Sequence, residues 1–107
     1  MPQSLANILI HLVFSTKNRA ALLRPRELRL EMFAYLATLA ARNCDSPALI
    51  VGGSDDHIHL LLSMSRKVAM MKIVEELKTE SSKWVKSKSN DLHSFAWQHI
   101  DERYVWY

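Results

Sequence analysis

Between Leu5 and Thr16 the chain alternates. The even positions Ala6, Ile8, Ile10, Leu12 and Phe14 form one wholly apolar face, while Asn7, His11 and Ser15 mix with apolar neighbours on the other. A period of two predicts a strand with one face in a core. Lys17-Asn18-Arg19 is its polar exit, and Pro25 suits the first turn of a helix. Leu28, Met32, Phe33, Leu36, Leu39 and Ala40 then recur at three- and four-residue spacing, which predicts an amphipathic helix over 25–42. Asn43-Cys44-Asp45-Ser46-Pro47 ends it. A second strand follows over 48–53, then a turn at Ser54-Asp55-Asp56 and a third strand over 57–62, close enough to pair as a hairpin. Over 68–86 the pattern returns to helix. Met71, Val74, Leu77, Ser81, Trp84 and Val85 make the stripe, and Glu75, Lys78, Glu80 and Lys83 fall largely outside it. Ser89-Asn90-Asp91 interrupts this helix, and Phe95-Ala96-Trp97 and Tyr104-Val105-Trp106-Tyr107 both have strand propensity.

The order is β-α-β-β-α-β, the split β-α-β, ferredoxin-like arrangement of the α+β class. It implies an antiparallel sheet with two helices on one face, in a single domain over 1–107. The other face of the sheet is where function is expected.

Composition narrows the class. A length of 107 residues with 49% hydrophobic and 23% charged positions suits one globular domain. Two glycines and three prolines argue against a linker-rich or disordered chain. The lone Cys44 excludes an internal disulfide and a CxxC knuckle and reads as structural. The start Met-Pro-Gln-Ser has no basic stretch ahead of an apolar one, and no run reaches the ~18 apolar residues of a membrane span. The expectation is a soluble cytoplasmic protein without a membrane partner. Fourteen Lys and Arg against eleven Asp and Glu give +3, which permits nucleic-acid binding without establishing it.

The sharpest local feature is His57-Ile58-His59. Residues two apart on a strand share a face, so two imidazoles can converge on one cation while Ile58, Leu60 and Leu62 face the core. Asp55 and Asp56 just before them offer an oxygen ligand or an acceptor behind a ligand. His-x-His also arises by chance on half-exposed strands, and ligand softness alone would favour zinc over magnesium. His11 reaches the same place if the first and third strands are neighbours; otherwise it is a structural histidine. A second set is basic: Lys17, Arg19, Arg66, Lys67, Lys78, Lys83, Lys86 and Lys88, with Ser81, Ser82 and Trp84 interleaved. Lysines and serines can engage phosphates and aromatics can stack on bases. The plain alternative is a solvated helix face with Trp84 in the core. Gly52-Gly53 is a turn signal, there is no phosphate-cradling glycine loop, and no Ser-His-Asp set can be singled out.

Several segments, in order, resemble one family. Asn7 to Arg19 is similar to the opening strand of the small TnpA-type single-tyrosine HUH transposases, which have relatives associated with palindromic repeats. Gly52 to Leu61 resembles their HUH strand, Val74 to Lys86 the helix after it, and Phe95-Ala96-Trp97-Gln98 the next landmark. The resemblance spans most of residues 3–98. It implies DNA transposition: a tyrosine hydroxyl attacks a phosphodiester of single-stranded DNA, leaving a 5′-phosphotyrosine and a free 3′-OH that later reverses the step. It implies that His57 and His59 hold a divalent cation, Mg or Mn, that polarises the scissile phosphate. The partners implied are single-stranded DNA with hairpin ends and a second copy of the chain in a homodimer. Lys17, Arg19, Lys78, Ser82, Lys83 and Trp84 are then the candidate DNA contacts.

One departure matters. The family carries its tyrosine on a further helix, with a glutamine soon after it at the metal, and only nine residues follow Gln98 here. Neither Tyr104 nor Tyr107 has that context, so the nucleophile is left unassigned. The expectation is a truncated, catalytically impaired copy that retains DNA binding. Its alternatives are a non-catalytic single-strand or hairpin DNA-binding module and a metal-binding ferredoxin-like fold unrelated to DNA.

Overall fold

The computed structural model describes residues 8–98 and 103–106. Four strands, β1 (Leu9–Ser15), β2 (Ala48–Gly53), β3 (His57–Ser63) and β4 (Arg103–Trp106), form one sheet in the order β2-β3-β1-β4. The pairings β1–β3, β1–β4 and β2–β3 are all antiparallel. Helices α1 (Arg26–Asn43) and α2 (Met70–Lys86) complete the β-α-β-β-α-β order, so β3 lies between the two strands that α1 connects. This is the split β-α-β arrangement that the hydrophobic pattern predicts.

Alternation decides the two faces. Ile10, Leu12 and Phe14 of β1 and Ile58, Leu60 and Leu62 of β3 are all at most 1% exposed. They share one core with Met32 and Leu36 of α1 and Ile73 and Leu77 of α2, which places both helices on the same side of the sheet. The intervening residues of β1 and β3, the histidines among them, are half-buried on the other side; Ser15 at the end of β1 is buried.

Three details depart from expectation. Ile8, assigned to the apolar face, precedes β1 and is exposed, and residues 5–7 of the predicted strand lie outside the described residues. On α2 the inward residues are Met70 and Ile73 rather than Met71, which is 63% exposed. At about 100° per residue, Met71 falls roughly 100° around the helix from the stripe centred on Ile73, Val74, Leu77, Ser81 and Val85. Phe95 to Trp97 makes one isolated bridge, Thr16 with Trp97, in place of a strand. It follows a single 3₁₀ turn over Asn90–Leu92, and its aromatic rings turn into the core. Trp97 lies edge-on to Phe95 at 4.9 Å, and its indole Nε1 donates to the buried Ser81 Oγ at 3.0 Å. Of the predicted tail strand, residues 104–106 belong to β4, where Tyr104 stands opposite Leu12; Tyr107 lies outside the described residues.

Pro25 sits at the cap position just before α1, its ring fixing the φ of −62° that leads into the helix. Gly53 closes the β2–β3 turn where a Cβ would come within 2.8 Å of Ile58 Cα, so only glycine allows that approach.

The core predicts a sharp contrast. Leu60→Ala, in the central strand, should cost about 2–5 kcal/mol. Leu49→Ala, on the exposed β2 edge, should stay within about 0.5 kcal/mol of the parent. Urea unfolding of the two variants measures both.

Candidate functional site

The site is built at one end of β3 and on the open face of the sheet. His57 and His59 alternate with Ile58 and Leu60, so burial of the latter pair forces both imidazoles outward. Their ring centroids are 6.4 Å apart with planes inclined by 24°. His11 joins them. Its register partner is Leu61 while that of His59 is Val13, so the two histidines are diagonal neighbours, with ring centroids 5.5 Å apart. Beyond His59 the open face continues as a groove of about 440 Å³ lined by Leu9, His11, Ile50, His59 and Leu61.

Gly52 is part of this geometry. It stands opposite His59 across the β2–β3 ladder, and a Cβ there would lie 3.2 Å from both Cε1 and Nε2 of the imidazole. The turn signal of the sequence is thus also the floor on which one ring rests.

His57 is held from behind. Its Nδ1 is 3.0 Å from Asp56 Oδ1 and 3.0 Å from Ser54 Oγ. Asp56 in turn accepts from Arg19, at 3.1 Å from Nε to Oδ2 and 3.4 Å from Nη2 to Oδ1. The loop bearing Arg19 is stitched to the same turn: Thr16 N–H donates to the Asp56 carbonyl, Leu23 N–H donates to that of Asp55, and Thr16 Oγ1 closes the loop on the Ala20 carbonyl at 2.7 Å. Arg24 adds an ion pair with Asp55 at 3.8 Å.

Electrostatics follow from these contacts. The hydrogen bond from His57, and after it that from Arg19, holds the Asp56 carboxyl below its ordinary range. Burial, and then the neighbouring His11 and His57, pushes the His59 imidazole down, which favours the neutral form that ligates metals. Two imidazoles on one face, that of His57 with Nδ1 engaged and Nε2 left over, suit a divalent cation as a pair of nitrogen donors. Among the described residues no group of three or more His, Cys, Asp or Glu side chains is placed to hold a metal, so the pair would supply part of a coordination sphere.

The basic candidates divide. Lys17 and Arg19 lie in the loop beside the His57 end of the sheet, and Lys17 is exposed. Lys78 reaches the same end from the helix side. Its ammonium donates to the Gln98 carbonyl at 2.9 Å and lies 5.8 Å from the Phe14 ring centre, and burial lowers its pKa. Gln98 itself bonds to Ser15, the register partner of His57. Ser82, Lys83 and Trp84 belong to the helix layer on the opposite side of the sheet from the histidines. Lys83 pairs with Glu80 at 3.5 Å. Trp84 stacks on Tyr35 at 5.2 Å with the Lys88 ammonium 4.6 Å above its ring, so its packing is that of a helix–helix contact. Cys44 is buried, and its thiol is pushed up to about 11, chiefly by burial, as expected of a structural cysteine.

The family model for IS200-like transposases matches residues 4–105. The chain belongs to that family. Its fold is similar to that of a protein of Deinococcus radiodurans R1 assigned as a transposase, with a TM-score of 0.82 at 20% identity over 98% of this chain and 82% of that one. It is also similar to a REP-associated tyrosine transposase bound to a REP hairpin, with a TM-score of 0.64 at 12% identity. That alignment covers all of this chain and 59% of the other. No curated protein sequence matches the chain. Family membership supports a function in transposition. Among the described residues, no helix is long and apolar enough to cross a membrane.

Two predictions follow from the site. Gly52→Ala should displace the His59 ring by a few tenths of an ångström, visible as shifted imidazole resonances of His59 with those of His93 unmoved. The pH dependence has a definite sign. With its folded pKa below the unfolded value of 6.5, His59 contributes stability that is complete above that value and erodes as pH falls below it. Asp56 does the same below the carboxylate value of 3.8. Urea titrations should therefore show stability declining below pH 6.5 in the parent, and a shallower decline in His59→Gln.

Proposed function

We propose that the chain is the metal-binding and DNA-binding core of a transposase of the HUH class, acting on single-stranded DNA with hairpin ends. The observation that carries this reading is the His57–His59 pair on the open face, with Asp56 behind His57, in a chain of the IS200-like family. A divalent cation bound there, Mg or Mn, would polarise the scissile phosphate. His57 and His59 present it, and His11 and the groove beyond shape the adjacent surface. Lys17, at the same end of the sheet, would neutralise backbone phosphates, and Lys78 adds positive charge there. Ser82, Lys83 and Trp84, on the helix side, would meet DNA only where a hairpin wraps the domain. The proposed working unit is a homodimer, and the β2 edge, with Leu49 and Ile50 each 58% exposed, is apolar surface that a second copy would cover.

The nucleophile is a separate question. Among the described side chains the only tyrosine is Tyr35, on α1. It is stacked on Trp84 on the helix side of the sheet, with its phenol raised chiefly by burial and then by Glu80 and Glu76. It cannot attack a phosphate held at His57 and His59. Our reading is that the described residues bind hairpin DNA, and that cutting needs a tyrosine other than Tyr35.

A hairpin-ended oligonucleotide tests this reading. Affinity should fall with salt with a slope of about −0.7 per phosphate neutralised. It should survive His57→Ala, and no covalent adduct to Tyr35 should form with Mn on a denaturing gel. A phosphotyrosine adduct at Tyr35 would overturn its exclusion as the nucleophile. Absent or salt-insensitive binding would remove the DNA-binding role.

A further inference from the structure

We infer that Asp56 is a positioning residue that fixes the tautomer of His57, and that Arg19 acts through Asp56 rather than on DNA. The inference deepens the proposed function and rests on it for the purpose of the arrangement, though the tautomer itself can be read without metal or DNA.

The argument begins with one nitrogen. His57 Nδ1 has two neighbours at 3.0 Å, Asp56 Oδ1 and Ser54 Oγ. The serine hydroxyl can donate or accept, so alone it would leave the tautomer open. The carboxylate can only accept. A bare Nδ1 lone pair 3.0 Å from a carboxylate oxygen would be repelled, so Nδ1 carries the hydrogen and donates to Asp56. The Ser54 hydroxyl is then free to donate to the same oxygen, from which it is 3.4 Å distant. Nε2 is left with its lone pair, the form that a metal ligand needs.

Arg19 supports this from two directions. Its Nε and Nη2 straddle both oxygens of Asp56, so the fork fixes the carboxylate plane as well as its charge. Its backbone is also unusual. Asn18 and Arg19 both adopt positive φ, at 59° and 57°. Asparagine tolerates that conformation, but arginine does so at a cost. The loop holds it because Thr16 and Leu23 bond to the Asp55–Asp56 turn on either side. Strain kept in place by surrounding bonds, beside a ligand-bearing strand, is strain with a task. A guanidinium committed to Asp56 in this way is part of the histidine site, which revises the role that the sequence suggests for Arg19.

The test is the nitrogen spectrum of the His57 ring in the full chain at about pH 8, above the ordinary imidazole range. The parent should show the Nδ1–H tautomer. Asp56→Ala should switch the ring to Nε2–H, with the Ser54 hydroxyl now donating to Nδ1. Mn²⁺ affinity, measured by calorimetry, should drop by about 10–100-fold in Asp56→Ala. Arg19→Ala should also weaken Mn²⁺ binding while leaving the salt slope of hairpin binding unchanged, and Arg19→Lys should fail to restore the Mn²⁺ affinity. An Nε2–H tautomer in the parent, or a tautomer unmoved in Asp56→Ala, overturns the inference for Asp56. Arg19→Lys with parental Mn²⁺ affinity, or Arg19→Ala with a reduced salt slope, overturns it for Arg19. A parent with the Nδ1–H tautomer that binds no Mn²⁺ would uphold the positioning by Asp56 while refuting the metal reading of the site.

Discussion

The pairing register of β1 against β3 governs everything else in the molecule. Ile10 opposite Leu62, Leu12 opposite Leu60 and Phe14 opposite Ile58 put six large side chains against the helices. The same register puts His57, His59 and His11 on the open face. Because side chains alternate with a period of two, a slip of one residue in either strand would break this agreement. That strand's histidines would turn into the core and its leucines into water. The apolar core therefore orients the polar site. Helices α1 and α2 act on the site through this constraint, since they cover the buried face and leave the other free.

Much of this was legible in the chain. Alternation in β1 and β3 and the three- and four-residue spacing in α1 encode faces directly, so the element order, the β2–β3 hairpin and the shared face of the paired histidines follow from the pattern. The misassignment of Met71 has a simple origin. A helix stripe read from leucine spacing tolerates an error of one residue at the first turn, and Met70 and Ile73 carry the contact there. Phe95 to Trp97 has the residue types of a strand but spends them on burying two aromatic rings, with Ser81 satisfying the indole. Lateral contacts between loops leave no periodic trace. The clasp of Arg19 on Asp56 joins residues 37 apart, and nothing in the spacing of either segment announces it. Gly52 is a similar case. Its role as the floor beneath His59 depends on register, although its position in a Gly-Gly pair suggested only a turn.

The basic residues show the same division between composition and placement. A count of lysines along and just after α2 suggests one surface, whereas the structure commits Lys78 to the Gln98 carbonyl and Lys88 to Trp84 and Glu31. What remains beside the histidines is the loop after β1, tied to the turn before β3 by backbone bonds and two ion pairs. The end of the sheet is thus a single unit in which positive charge, a carboxylate and two imidazoles are held by the same few contacts.

The central claim is that this unit holds a divalent cation through His57 and His59. Titration of Mn²⁺ into the protein, followed by paramagnetic broadening of the histidine ring resonances, tests it most directly. The account predicts that His57 and His59 broaden first, with neighbouring His11 following, while His93, outside the sheet and bonded to the Asn90 carbonyl, stays sharp. Uniform broadening of all histidines, or none at millimolar Mn²⁺, would contradict it.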